Sequence, residues 1–244
     1  MNEPGWLRRE LVAPWWQVAL VMLLTTGVFA GTSAWAAWHG SSHYFYEMLL
    51  TNAHMLNGIA VEGSILGLLI LFLHRRGWIP SDLRLRPSMR GTIEGLVLPI
   101  GLYLANFGTF VLIFLLTFFL RGSVGVAALA ASLKPELHPH TVHIAWSAII
   151  LGSVINALLE EIACTAYFFC QVAARHGPLA ALLLTDLLRM GYHTYQGPLH
   201  MLGVGAVFLV LDGYYAVRKN LWAVVIAHAG SDIISFAVLK QILG

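Results

Sequence analysis

Apolar runs long enough to cross a bilayer recur along this chain of 244 residues, and they leave it little choice of fold. A backbone in hydrocarbon must satisfy its own N–H and C=O groups, so it crosses as α-helix or as a closed β-barrel. Continuous runs of about 20 apolar residues are the helical signature. They read as seven spans, at about 16–38, 56–73, 92–120, 141–174, 178–192, 199–217 and 221–239. The expected fold class is all-α, a polytopic transmembrane helix bundle of about seven spans. Composition agrees: 11% of residues are charged, against roughly 25% in a soluble domain. Ala34-Trp35-Ala36 imitates a signal-cleavage site, but the apolar run before it exceeds the roughly 7–15 residues of a signal core, so it is expected to remain as a span.

Lysine and arginine orient the spans. With the N-terminus in the cytoplasm, the inner loops hold Arg8, Arg9, Arg75, Arg76, Arg84, Arg86, Arg90, Arg175, Arg218 and Lys219. Arg121, Lys134 and Lys240 fall outside, and Arg189 lies within the membrane. The loop 39–52 has neither Lys nor Arg, as an external loop should. The expected location is a multi-pass position in a bacterial cytoplasmic membrane, N-terminus inside and, with seven spans, C-terminus outside. The arginines of Leu83-Arg84-Leu85-Arg86-Pro87 are suited to anionic lipid headgroups. The scattered basic residues exclude a nucleic-acid surface. Cys164 and Cys170 lie on different faces of one helix, which excludes a disulfide between them and a zinc-thiolate site. The chain divides into 1–140, N-terminal spans with a cytoplasmic interfacial segment, and 141–244, where the ionisable residues gather.

Glu160 and Glu161 stand side by side inside the run 141–174. A carboxylate at the centre of a span costs about 2.5–3.5 kcal/mol on insertion scales, and such residues face a cavity or a partner. The bland reading is a pair that only packs helices together. The later spans add Asp186, Arg189, His193, Asp212, His228 and Asp232. His228 and Asp232 are four apart and share a helical face, as do Asp186, Arg189 and His193 over two turns, and Glu160 with Tyr167. A lone histidine in such a span is more often a packing or helix-end residue. Two of them with Glu160, on separate spans, can converge on one buried cavity. A carboxylate with two imidazoles suits hydrolysis by an activated water, with an acid–base carboxylate and a donor to the oxyanion. Asp212, near the inner end of its span, reads as an interfacial carboxylate beside Arg218. Tyr214 and Tyr215 read as belt aromatics. Gly203 and Gly205 read as close helix approaches, and Glu62, alone in its span, could line the cavity or pair with a distant base and is left unassigned.

Three segments, Glu160-Glu161-Ile162-Ala163-Cys164-Thr165, Arg189-Met190-Gly191-Tyr192-His193 and His228-Ala229-Gly230-Ser231-Asp232, resemble in order and separation the motifs of the CPBP intramembrane proteases. That family includes the type II CAAX prenyl endopeptidases and the Abi-type proteins, and the resemblance covers about 144–239. It implies an intramembrane endopeptidase acting on a membrane-associated peptide, lipid-modified or a leader, with membrane lipid as its other partner. Glu160 would activate water with help from His193. His228 and Asp232 would bind the oxyanion or complete a metal site, and Glu161 would support Glu160. A divalent metal such as zinc would draw on Glu160, His193 and His228, although no H-E-x-x-H pair supplies two ligands from one helix.

The chain departs from the family pattern where the motif arginine is Thr165, the motif phenylalanine is Arg189 and a motif glycine is Ala166. The helix has lost its internal cation, and the expectation is that Arg189 reaches across to Glu161. The alternative is a local pair between Arg189 and Asp186, three residues back on its own helix. The departures also leave open an inactive member serving as an immunity or scaffold protein. A haem-binding carrier using His54, His143, His193 or His228 is a further alternative, but it gives no reason for the adjacent glutamates.

Overall fold

The computed structural model describes residues 6–39, 51–132 and 144–243, and every regular element among them is helical. Helix α1 (Trp15–Trp38) carries a π-helical segment at Leu23–Gly27. It is followed by α2 (Asn52–Arg75) and α3 (Met89–Ser132), the latter broken at Gly122, where φ is 66°. Helix α4 (Trp146–Glu160) runs through a π-helical stretch, Glu161–Phe169, into α5 (Cys170–Tyr192). A short 3-10 turn, Thr194–Gln196, leads to α6 (Pro198–Arg218) and α7 (Leu221–Leu243). Lys134, His143, the 140/141 boundary and most of the loop 39–52 lie outside the described residues.

Among the described residues six helical stretches are long and apolar enough to cross a membrane. The chain is an integral membrane protein, and the seven expected spans fall on the six stretches, the fourth starting at Trp146 among the described residues rather than at 141. The fourth and fifth are joined as Trp146–Tyr192 and broken at Gly177, whose φ of 83° is a conformation open to glycine alone without strain. Pro178 then starts the next helix, where its missing N–H is not needed. At 1.5 Å per residue, 178–192 is about 22 Å long, shorter than a hydrocarbon core of about 30 Å. On its own this segment is too short to cross.

The two ends of the bundle are fastened differently. At one end Arg8 grips Asp82 through both carboxylate oxygens, at 2.9 and 2.8 Å, and also donates to Gly77 O. Partial burial pushes the Asp82 carboxyl up, but the Arg8 bonds and the Ile79 N–H outweigh it and hold the group below the ordinary carboxylate range. Gln171 bonds Leu11 O and the Ala13 N–H, and Arg175 donates to Ala13 O. Glu94 takes bonds from Arg90, Arg218 and Tyr214. At the other end Asn52 accepts from the Ala145 N–H, Ser33 accepts from the Tyr195 N–H and Lys240 donates to Ile144 O.

The interior is built around the π-helical stretch. Tyr167, Phe169 and Cys170 have no exposure, and neither do Leu211, Tyr215 and Leu221 packed near them. Two expectations change here. Tyr215 is a core residue against Phe169 and Cys170 rather than a belt aromatic. Tyr167 leaves the Glu160 face and packs edge-on to Phe72 and near Trp78, because i→i+5 bonding winds more residues into each turn than the seven-residue spacing assumes. By contrast α3 keeps Phe107, Phe119 and Leu120 on its outer surface, where lipid is the solvent. The glycines work as contact points: a Cβ on Gly203 would meet Asn106, and one on Gly205 would stand 2.9 Å from Met190 Sδ.

The tightest backbone approach joins α3 to α7, where a Cβ on Gly95 would lie 2.7 Å from Ala223 O. Gly95→Ala should therefore destabilise by about 1–3 kcal/mol, the usual cost of overpacking. Gly108→Ala, with open space around it, should be neutral or gain up to about 1 kcal/mol of helix propensity. Thermal unfolding of the two variants in detergent checks the order.

Candidate active site

The π-helical stretch sets the geometry. It begins directly after Glu160, and it puts Glu161 on the inner side with no exposure while Glu160 stays at the edge of a cavity. Such bulges often mark functional sites. From the break at Gly177, α5 returns alongside α4 and delivers Arg189, which is also without exposure. Arg189 Nη2 donates to Glu161 Oε2 and Thr165 Oγ1, both at 2.7 Å. Its Nη1 lies 3.3 Å from Glu160 Oε2 and its Nε 3.6 Å from Asp212 Oδ2. The guanidinium stacks over Phe208 at 4.1 Å, a cation–π contact on its remaining face.

The expected reach of Arg189 to Glu161 is thus formed, and the local pair with Asp186 is not. Asp186 Oδ1 has no hydrogen bond, and no ion pair joins it to Arg189 among the described residues. Thr165, at the place of the motif arginine, fills the space between the acids: its hydroxyl lies 2.6 Å from Glu161 Oε2 and 2.9 Å from Asp212 Oδ1. Asp212 is not an interfacial partner of Arg218. It has no exposure and belongs to the Arg189 cluster, since six residues along α6 carry it well below the helix end. Arg218 pairs with Glu94 instead.

Around Glu160 the hydrogen bonds leave one oxygen free. Oε2 accepts from Tyr192 Oη at 2.6 Å and from Arg189, Oε1 has no bond among the described residues, and Glu160 lines the cavity. His193 Nδ1 lies 2.9 Å from Arg189 O. A carbonyl only accepts, so Nδ1 carries the proton and Nε2 is left bare for the cavity. His228 Nδ1 contacts Glu161 Oε1 at 2.7 Å, and its Nε2 lies 3.7 Å from Asp232 Oδ2. Asn156, one turn before Glu160, donates to Asp232 at 3.2 Å.

Glu160, His193, His228 and Asp232 line one cavity of about 600 Å³, together with Glu62, Asn156 and Tyr192. Glu161, Arg189 and Asp212 sit behind its wall, and Asp186 lies apart from it. Three contributors, Asn156, Tyr192 and Phe208, were not singled out in the sequence, and Glu62 was named as a possible cavity residue without a role. Asn156 carried a signal, its spacing of four from Glu160, and Tyr192 lay inside a quoted motif. Glu62 stood alone in its span. Phe208 is one of many apolar residues in α6 and carried no signal.

As placed, no three His, Cys, Asp or Glu side chains among the described residues stand close enough to hold one ion. Tyr192 and Arg189 hold one oxygen of Glu160, and His228 turns Nδ1 to Glu161; Glu160 Oε1 and His193 Nε2 stay without hydrogen bonds, yet with His228 they form no three-ligand group. The set fits a metal poorly, and no step below runs through one.

With this geometry in view, residues 141–234 match the family model described as Type II CAAX prenyl endopeptidase Rce1-like. The match supports the resemblance carried by the three motifs and covers all three of them. No curated protein and no solved structure matches the chain.

Removing Arg189 leaves buried acids uncompensated, which costs about 3–5 kcal/mol when one partner of a buried pair is lost. Arg189→Phe should therefore lower both stability and activity, and adding Thr165→Arg should recover part of each by supplying the cation from α4. Asp186→Asn should change stability by less than about 1 kcal/mol. Thermal unfolding of the three variants, with peptide hydrolysis measured in parallel, checks this.

Proposed function

We propose that the protein is an intramembrane endopeptidase that hydrolyses a peptide bond of a membrane-associated chain, with or without a lipid modification, using water activated by Glu160. The observation that carries this reading is the free Oε1 of Glu160 and the bare Nε2 of His193 lining one cavity with His228 and Asp232. Water held between the first two loses a proton to Glu160 Oε1 as its oxygen bonds to the carbonyl carbon. His193 Nε2 accepts the water's other hydrogen and fixes its direction of attack. Arg189 and Tyr192 keep Oε2 fixed, so the carboxylate acts through a single oxygen.

The oxyanion that forms needs a donor. His228, carrying both ring protons and balanced by Glu161 and Asp232, offers Nε2–H to it. The C–N bond then breaks, and the proton taken by Glu160 passes to the leaving nitrogen, which restores the carboxylate. The arginine exchanged between helices favours this reading over an inactive scaffold. A guanidinium is still supplied to the glutamate pair, from α5 instead of α4.

Glu160→Gln should abolish hydrolysis without unfolding the protein, because an amide does not take the water's proton. His193→Ala and His228→Ala should each cost at least about 10²-fold in kcat, the low end for acid–base groups and oxyanion donors. Near wild-type turnover in Glu160→Gln would end the assignment. In a separate measurement, active protein dialysed against a chelator should keep its rate and contain no stoichiometric zinc.

A further inference from the structure

The cavity belongs to one end of the bundle. Its wall takes Thr32 and Ser33 from the far half of α1, His54 and Met55 from the first turn of α2, and Phe236 and Leu239 from the last turns of α7. These positions neighbour the Asn52–Ala145, Ser33–Tyr195 and Lys240–Ile144 contacts. Thr32, His54 and Asn57 line the cavity at this end and are exposed, which gives it a mouth here; Tyr103 and Ser235, exposed on the α3–α7 side, line it toward the apolar flank. Toward the other end the cavity stops at a floor in which Tyr167, Phe169, Tyr215 and Leu221 have no exposure. Beneath the floor, Gln171 and Arg175 tie the N-terminal segment across the bundle.

The ends also differ in charge. Arg8, Arg75, Arg76, Arg84, Arg86, Arg90, Arg175, Arg218 and Lys219 all lie at the floor end. Among the described residues the mouth end has Arg121 and Lys240, and Lys240 is spent on Ile144 O and the Trp146 ring. The excess of Lys and Arg marks the cytoplasmic side, so the mouth faces away from it.

We propose that the site is served from the non-cytoplasmic face, and that its substrates are flexible peptide segments exposed there on membrane-anchored chains. The substrate claim rests on the hydrolytic reading above. The wall suits such a segment: Met55, Ile59 and Phe236 offer an apolar side, and Ser33, Asn57 and Gln196 a polar one. Depth sets the length required. His54 at the mouth and Glu62 beside the acids are eight residues apart on α2, about 12 Å of helix. At about 3.3 Å per extended residue, the scissile bond lies at least about four residues from any bulk that stays outside.

Access is tested in intact cells carrying the full chain, with a membrane-impermeant maleimide as probe. Asn57→Cys, at the mouth, should be labelled, and Arg86→Cys, exposed at the basic end, should be labelled only after the cells are opened. The native Cys164 and Cys170 are buried and give little background. Labelling of Arg86→Cys but not Asn57→Cys in intact cells overturns the proposal. Substrate side is tested with two reporters that share one anchor and one flexible tail, the tail being exported in one and cytoplasmic in the other. Release of the exported tail alone, lost in Glu160→Gln, is expected. Glu160-dependent release of the cytoplasmic tail overturns the proposal and leaves the hydrolytic reading intact. If neither tail is released while the labelling pattern holds, the hydrolytic reading and the substrate claim fall, and the assignment of the mouth stands.

Discussion

Arg189 is buried without exposure and meets Glu160, Glu161 and Asp212 with the edges of one planar group and Phe208 with its face. In a medium that solvates charge poorly, none of those acids could be kept at mid-bundle unless something returned the lost hydration. A guanidinium suits the task because its donors point in fixed, coplanar directions, so several acceptors are held at once. The arrangement orders the reactive groups as well. Glu160 is pinned by one oxygen, Glu161 is turned toward His228, and the Arg189 carbonyl fixes the proton on His193. One residue thereby acts on all three parts of the site, twice through its side chain and once through its backbone.

Much of this was legible in the residues. Apolar runs gave the spans, and the motifs gave the four groups that share the cavity. The need of a buried arginine for an acceptor pointed to Glu161 or Asp186 once Thr165 was seen where a cation was expected, and the fold chose Glu161. The illegible parts have physical causes. Tyr167 was assigned to the wrong face because seven-residue spacing presumes an α-helix, and nothing in Glu161–Phe169 announces the wider π winding. Asp212 was misread because its distance along the chain from Arg218 was taken as proximity, whereas the helix carries it inward toward a stronger partner. Glu62 was left between the cavity and a distant base because a single acid in a span has no spacing to interpret. Its cavity position depends on how α2 leans on α4, a matter of tertiary packing.

The closed floor and the open mouth come from the same economy of residues. The floor is made of large aromatic side chains stacked around the π-helical stretch, together with backbone bonds from the N-terminal segment. The mouth is lined by threonine, serine and asparagine, whose short side chains leave space and tolerate water. Short polar side chains beside apolar ones at one end, and aromatic packing at the other, make the two ends of the cavity unlike among the described residues.

The break at Gly177 and Pro178 has a consequence for how the chain is made. The segment 178–192 is short and carries both Asp186 and Arg189, so on its own it is a poor candidate for partition from the translocon into lipid. An arginine at mid-membrane costs about 2.5–3.5 kcal/mol on insertion scales. The preceding helix already carries Glu161, and the glycine bend brings the two segments face to face. Entering together as a hairpin, with the guanidinium paired to Glu161, would spare the short segment that cost, so the contact that organises the finished site bears on its biogenesis as well.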